Sequence, residues 1–155
     1  MSDGKVCIVV AGAKCSDGRI AIGINNKIPW TSKADMHNFR QLTTSTSMPI
    51  CENVVIMGAK TWQSIGKCLP NRYNIVISRN KDARRVYNIP NNVGISSSIE
   101  LAISELKTVS DIETIYVIGG SYIYKDVIDL KIVDKIHMTF VSNQHDPGVF
   151  DNCDT

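Results

Sequence analysis

Short β-branched and apolar runs alternate along this chain with segments of helical period, and this alternation restricts the available folds more than any other feature. The runs are Val6–Ala11, Asn53–Met57, Asn74–Ser78, Val93–Ile95, Thr114–Ile118 and Lys135–Val141. Most are apolar almost throughout, as strands covered on both faces require; a half-exposed strand would alternate apolar with polar. Ile99, Ala102, Ile103 and Leu106 recur at i, i+3, i+4 and i+7 behind a Ser97-x-x-Glu100 capping box. A second helix carries Ile123, Tyr124, Val127 and Ile128 after the pair Gly119-Gly120. Strands separated by helices predict an α/β domain with a mostly parallel central β-sheet and helices on both faces. At 155 residues, with no repeat and no Pro/Gly/Ser linker, the expectation is one domain over 1–155.

Several function classes fall away on charge and composition. Seventeen Lys+Arg against fifteen Asp+Glu leave a formal charge of +2, with no basic arm or acidic tail, so no nucleic-acid partner is expected. The stretch Val6–Ala11 is far shorter than a membrane span and carries no leader pattern, so the expected location is cytoplasmic, away from membranes. The five cysteines (Cys7, Cys15, Cys51, Cys68, Cys153) are irregularly spaced without a Cys-x-x-Cys pair and read as free thiols. His37, His137 and His145 lack metal-ligand spacing, and no metal site is expected.

One connection is abnormally long. From Gly12 to Ser32 the chain shows no clear helix, yet it carries Ile20, Ile22, Ile24, Ile28 and Trp30. Apolar density of that kind predicts a loop folded down over something, a lid over a ligand. It feeds a helix, Ser32 to Leu42, on which Asp35, Phe39 and Leu42 share one narrow stripe. Asp35 has two readings: a first-turn acid in a Ser32-x-x-Asp35 capping box, or a desolvated carboxylate at the floor of a covered cleft, suited to a cationic or amidine-like ligand edge.

Two turns have the form strand, glycine, helix: Met57-Gly58-Ala59-Lys60-Thr61 and Ile118-Gly119-Gly120-Ser121. Glycine there lets backbone approach a ligand while helix-start amides face outward, an arrangement suited to phosphate, although plain turn geometry reads the same. Two such turns in one doubly wound sheet point to a dinucleotide groove. Neither matches the P-loop or the Gly-x-Gly-x-x-Gly fingerprint. Ser78-Arg79 at another strand end suits a phosphomonoester such as an adenosine 2′-phosphate, or is an ordinary solvated pair.

In chain order, Gly23-Ile-Asn-Asn-Lys-Ile-Pro-Trp30, Ala34-Asp35-x-x-x-Phe39, Val55-Ile-Met-Gly58-x-Lys60-Thr61-Trp62-x-Ser64-Ile65-Gly66, Leu69-Pro-x-Arg72, Ile77-Ser78-Arg79 and Val117-Ile-Gly-Gly120-x-x-x-Tyr124 together resemble dihydrofolate reductase, from Val6 to about Phe150. The reductase domain of riboflavin biosynthesis shares that fold but lacks the Pro-Trp plus Asp constellation. The resemblance implies hydride transfer from NADPH to C6 of dihydrofolate with a proton arriving at N5, giving tetrahydrofolate for one-carbon metabolism. It implies that Asp35 binds the pterin N3 and 2-amino edge and promotes protonation of N5 through water held under Trp30 and the lid. Thr139 would be the hydroxyl partner of Asp35, where otherwise it is a plain sheet threonine.

For the folate body, Val9, Val10, Met36, Phe39, Ile65, Leu69 and Ile118 match the family's apolar pocket, with the carbonyls of Val9 and Ile118 facing the pterin. Arg72 matches the arginine that forks onto the α-carboxylate of the glutamate tail. For NADPH, Ala11 and Ile22 match backbone contacts to the nicotinamide carboxamide. Gly58, Lys60 and Thr61 match the pyrophosphate turn, Ser78 and Arg79 the 2′-phosphate contacts, and Gly119, Gly120, Ser121 and Tyr124 the glycine turn and the ring beside the nicotinamide ribose. The expected partners are dihydrofolate and antifolates, and the expected state is a monomer.

Two departures stand out. Ala59 occupies a position where the family often has Arg or Lys, removing one phosphate donor that Arg79 is expected to replace. The family also continues beyond Phe150 into an antiparallel hairpin beside the Thr139 strand, whereas this sequence stops at Thr155. The expectation is therefore a truncated product or a partner chain that supplies the strand. Two competing readings follow: a folate- or nucleotide-binding protein without turnover, and another pteridine or pyrimidine reductase of the same fold. A substrate without a glutamate tail separates the last, because it would ignore the loss of Arg72.

Overall fold

Each of the six apolar runs is a strand in the computed structural model, which describes residues 5–14, 20–21 and 33–140, with backbone alone at 11–14, 20–21, 33–35, 121 and 138–140. The elements in chain order are β1 (Lys5–Lys14), β2 (Ile20–Ala21), α1 (Lys33–Thr44), β3 (Glu52–Gly58), α2 (Ala59–Ile65), β4 (Tyr73–Ile77), α3 (Ala83–Val86), β5 (Gly94–Ser96), α4 (Ile99–Leu106), β6 (Ile112–Gly119), α5 (Ser121–Asp129) and β7 (Lys135–Phe140). Six strands lie parallel in the order β7-β1-β6-β3-β4-β5. Among the described residues only β2 runs antiparallel, against the end of β1, with Ala13 opposite Ala21 and Lys14 opposite Ile20. The expected α/β sheet is therefore observed, and no helix among the described residues is long and apolar enough to cross a membrane.

The two-residue period of the strands divides the core. Val6, Ile8 and Val10 of β1, Val54 and Ile56 of β3, and Ile115 and Val117 of β6 pack beneath Ile99, Ala102, Ile103 and Leu106 of α4 and Ile123 and Val127 of α5. On the other face, Cys7, Val55, Met57, Val76 and Tyr116 pack against Trp62 of α2 and Ala83 of α3, with Leu42 of α1 at the margin. At roughly 1.5–3 kcal/mol for each fully buried aliphatic side chain, these two layers are the main force holding the helices to the sheet.

Three local expectations need correction, and one slip in the ladder adds to them. β1 does not end at Ala11 but continues to Lys14 and pairs with β2, so part of the long connection is a ribbon attached to the sheet. The cap of α4 is Ser98, whose side chain accepts from the Leu101 backbone N–H, and not Ser97. The reason is that β5 reaches Ser96, leaving Ser97 as the linker, while the apolar period makes Ile99 the first helical residue. Ile128 is half exposed, beside the stripe of α5 that is buried. Finally, β6 slips against β3 between Glu52 and Val54. There the buried side chain of Asn53 takes over the ladder, its Oδ1 accepting from Thr114 N–H while its Nδ2 donates to the carbonyls of Thr43 and Ser45.

Candidate active site

All the parallel strands point their carboxyl ends to one edge, and in such sheets ligands bind where neighbouring strands diverge. Here that place lies between β1 and β6. Their ladder stops at Ile8 opposite Val117, although both strands run on. A second slip between β3 and β6 leaves Ile118 as an extra residue, since Ile56 faces Val117 and Met57 faces Gly119. Into the gap comes Tyr124 from α5, its phenol oxygen 2.8 Å from the carbonyl oxygens of both Val9 and Ile118. A phenol has one proton to donate, so this pair of carbonyls keeps acceptor capacity for a further N–H. Burial pushes the Tyr124 phenol far above its usual pKa and keeps it a neutral donor.

The two glycine turns meet beside this gap. A Cβ placed on Gly58 would lie 3.8 Å from the Gly120 nitrogen and 3.9 Å from the Gly119 oxygen. Gly119 has φ +148°, and a Cβ there would stand 3.0 Å from Thr61 Oγ1, so backbone and the Thr61 hydroxyl share a space that only glycine leaves open. Gly58 and Gly120 cap α2 and α5 with no side-chain bond to the first-turn amides. Lys60 is exposed on α2, and Ser121 opens α5. One strand further, Ser78 is tied to the edge by its N–H on the Ser96 carbonyl, and its Oγ accepts from Asn80 N–H; Arg79 is exposed. From β1 through β6 and β3 to β4 is three strand spacings, about 14 Å, a row long enough for an extended dinucleotide.

The α1 face offers a second, perpendicular row. Val9, Ile65, Leu69 and Ile118 are half-buried against the lower core layer, and Phe39 is half-buried on α1. Strand alternation turns the Val10 side chain to the opposite layer, among Val6 and Ile8, away from the layer that holds Val9. Met36 is not drawn into this cluster either and stands 64% exposed on α1. The remaining expected residues are only partly described. Asp35 lies in the first turn of α1, Thr139 faces Ala11 in the β1–β7 register, and the side chains of these three fall outside the described residues. Trp30 and Ile22 lie outside them altogether.

At the far end of α1 sits Arg72, 6% exposed. Its Nε donates to the Pro70 carbonyl at 2.8 Å and its Nη1 to Thr43 Oγ1 at 2.9 Å, and its Cζ is 6.0 Å from the centre of the Phe39 ring. No carboxylate pairs with it among the described residues. Burial, and after it the charge of Arg40, lowers its proton affinity below that of a free guanidinium. A buried cation with no counter-charge is unfavourable by several kcal/mol. The turn that presents it is held from behind: Asn74 accepts from Leu69 N–H and donates to the carbonyls of Leu69 and Arg72. Thr43, Asn53 and Asn74 were not anticipated as site supports. The one available signal was a hydroxyl at position 43, adjoining the apolar stripe of α1.

The dihydrofolate reductase family model matches residues 6–154. The chain is 38% identical over 146 residues to the dihydrofolate reductase of Candida albicans, covering 92% of this chain and 71% of that protein. It is 33% identical over 157 residues to the dihydrofolate reductase of Heliothis virescens, covering 97% of this chain and 80% of that one. It is also 34% identical over 148 residues to the bifunctional dihydrofolate reductase-thymidylate synthase of Daucus carota, covering 92% of this chain and 27% of that one. Since the match begins at Val6 in β1 and runs past the end of β7, it takes in every described strand that builds the cleft, and the chain belongs to the dihydrofolate reductase family.

Proposed function

We propose that the diverging edge of β1 and β6 is where this chain carries out its family's reaction, with the dinucleotide along the glycine turns and the folate along α1. By family the chain is an NADPH-dependent dihydrofolate reductase that reduces 7,8-dihydrofolate to 5,6,7,8-tetrahydrofolate, and dihydrofolate and antifolates are its small-molecule partners. The observation that carries the assignment of the site is the meeting of the Gly58 and Gly119-Gly120 turns directly beside the Tyr124 phenol and its two carbonyls. The residues present fit NADPH, because the space over Gly119 is one that a single Cβ would close against Thr61. When bound, that cofactor supplies the hydride.

The remaining roles belong to the chain. Thr61, Lys60 and the open amides after Gly58 and Gly120 hold the pyrophosphate, with Ser121 beside them. Ser78 and Arg79 take the 2′-phosphate and make up for the donor absent at Ala59. Ala11 and Ile22 receive the carboxamide through backbone, and Tyr124 flanks the ribose. Asp35 anchors the pterin edge and promotes protonation at N5, Thr139 orients Asp35, and Trp30 shelters the water that carries the proton. Val9, Met36, Phe39, Ile65, Leu69 and Ile118 form the apolar surface for the folate body, and Arg72 takes the α-carboxylate of its tail. The eight steps from Asp35 to Thr43 span about 12 Å of helix, so the acid for one end of the substrate and the hydroxyl that holds Arg72 for the other sit on one rigid element. The same reading takes residues 1–155 as one domain, acting as a cytoplasmic monomer.

The test is oxidation of NADPH that requires dihydrofolate. Asp35→Asn is expected to lower turnover at neutral pH by about a hundredfold or more, with NADPH affinity nearly unchanged. Turnover of dihydrofolate by Asp35→Asn at the parent rate would remove that carboxylate from the mechanism.

A further inference from the structure

Thr43 is fully buried on α1, one helical turn after Phe39. Its hydroxyl proton is committed, since Oγ1 donates to the Phe39 carbonyl at 2.8 Å. The lone pairs of Oγ1 are thereby turned outward, and they receive Nη1 of Arg72 at 2.9 Å. A guanidinium cannot accept, so the direction of both bonds is settled by chemistry. The Nε–H is occupied by the Pro70 carbonyl, which removes the fork that Nε makes with its neighbouring nitrogen. Two of the five N–H donors are thus used by described residues, and the three left lie on Nη1 and Nη2. The fork in which Nε takes no part is the end-on pair of Nη1 and Nη2. With Phe39 beside the guanidinium and Thr43 at its edge, two residues of α1 set both its position and its rotation.

We propose that Thr43 is a positioning residue for substrate selection: through its hydroxyl it holds the Arg72 guanidinium with the end-on Nη1/Nη2 fork presented to a carboxylate on the substrate's tail, without touching the substrate. The proposal rests on the reading that Arg72 takes that carboxylate. Thr43 earns no role toward a pterin that has no tail. Its effect is therefore a change in the preference of the enzyme between two substrates, which a general loss of fold or activity does not produce.

The experiment compares kcat and KM for dihydrofolate and for 6-methyl-7,8-dihydropterin, which lacks the tail, in the parent, Thr43→Val, Thr43→Ser, Arg72→Met and the double variant Thr43→Val/Arg72→Met. The readout is the ratio of the two kcat/KM values. Thr43→Val is expected to reduce the preference for dihydrofolate roughly tenfold, carried by KM, as loss of one bond to a charged donor would. Thr43→Ser restores the hydroxyl and is expected to stay within about twofold of the parent. Arg72→Met is expected to reduce the preference roughly a hundredfold, and the double variant no further. If Thr43→Val does not fold, Thr43→Ala takes its place with the same expectation, and calorimetric Kd values for the two pterins replace the ratio where turnover is too slow. A preference unchanged in Thr43→Val but lost in Arg72→Met overturns the role of Thr43 alone. Equal losses on both substrates in Thr43→Val overturn it too, in favour of a purely structural hydroxyl. A preference unchanged in Arg72→Met overturns the tail assignment itself, and Thr43 with it.

Discussion

Replacing Arg72 by Met separates what the guanidinium does for the fold from what it does for the ligand. In the free protein the change removes a buried charge that has no acidic partner among the described residues, and whose desolvation is unfavourable by several kcal/mol. The bonds lost are few. Thr43 Oγ1 remains satisfied by its bond to the Phe39 carbonyl, and Pro70 is exposed, so its carbonyl can turn to water. The turn keeps its shape because Asn74 holds the Leu69 and Arg72 backbone whatever the side chain at 72. Met is unbranched, of similar length, and packs against Phe39. The unliganded variant is therefore expected to lie within about 1 kcal/mol of the parent or above it. On the proposal that Arg72 takes the tail carboxylate, the variant forgoes two charge-assisted bonds to dihydrofolate, about 3 kcal/mol or roughly a hundredfold in affinity. Urea denaturation followed by the fluorescence of the buried Trp62 gives the first quantity, and the KM for dihydrofolate gives the second. A loss of 3–5 kcal/mol in the unliganded protein, the usual consequence of breaking a buried ion pair, would refute the reasoning, because the charge would then be compensated within the chain.

Two further outcomes follow from the structure. Asn53→Ala strands three backbone groups, the carbonyls of Thr43 and Ser45 and the Thr114 N–H, and is expected to destabilise the fold by about 3 kcal/mol, lowering Tm by roughly 6–12 °C; a change below about 1 kcal/mol in urea melts would mean that the slipped ladder repairs itself. Glu113 accepts from Ser47 Oγ and from Ser47 N–H, which holds its carboxyl below the ordinary glutamate value of 4.5. A group whose folded pKa is depressed stabilises above its unfolded pKa and loses that contribution as pH falls toward the folded value. Ser47→Ala should thus be less stable than the parent at neutral pH, and the gap should close on acidification through and below the ordinary glutamate value; a gap that stays constant between about pH 7 and pH 3 uncouples the hydroxyl from the Glu113 charge.

The strands, the helix at Ile99–Leu106 and the glycine turns are readable from the chain alone because each depends on forces within a few residues: a two-residue or 3.6-residue apolar period, or a glycine where backbone must pass close. The same local rule contains the face that Val10 takes, and it nearly contains the Ser98 cap, missed by one residue because the end of β5 competes with the helix for the serines at 96, 97 and 98. Family membership is also written in the order of the motifs. What the order of residues does not hold is any pairing of groups far apart in it. Tyr124 reaches the Val9 carbonyl across 115 positions, Thr114 finds Asn53 across 61, and Arg72 finds Thr43 across 29. Those bonds exist because β6 inserts between β1 and β3, and because α1 lies across the sheet with its last turn over the start of β4. A hydroxyl or amide becomes a ligand-orienting group only when burial deprives its partner of water, and burial is a property of the assembled layers.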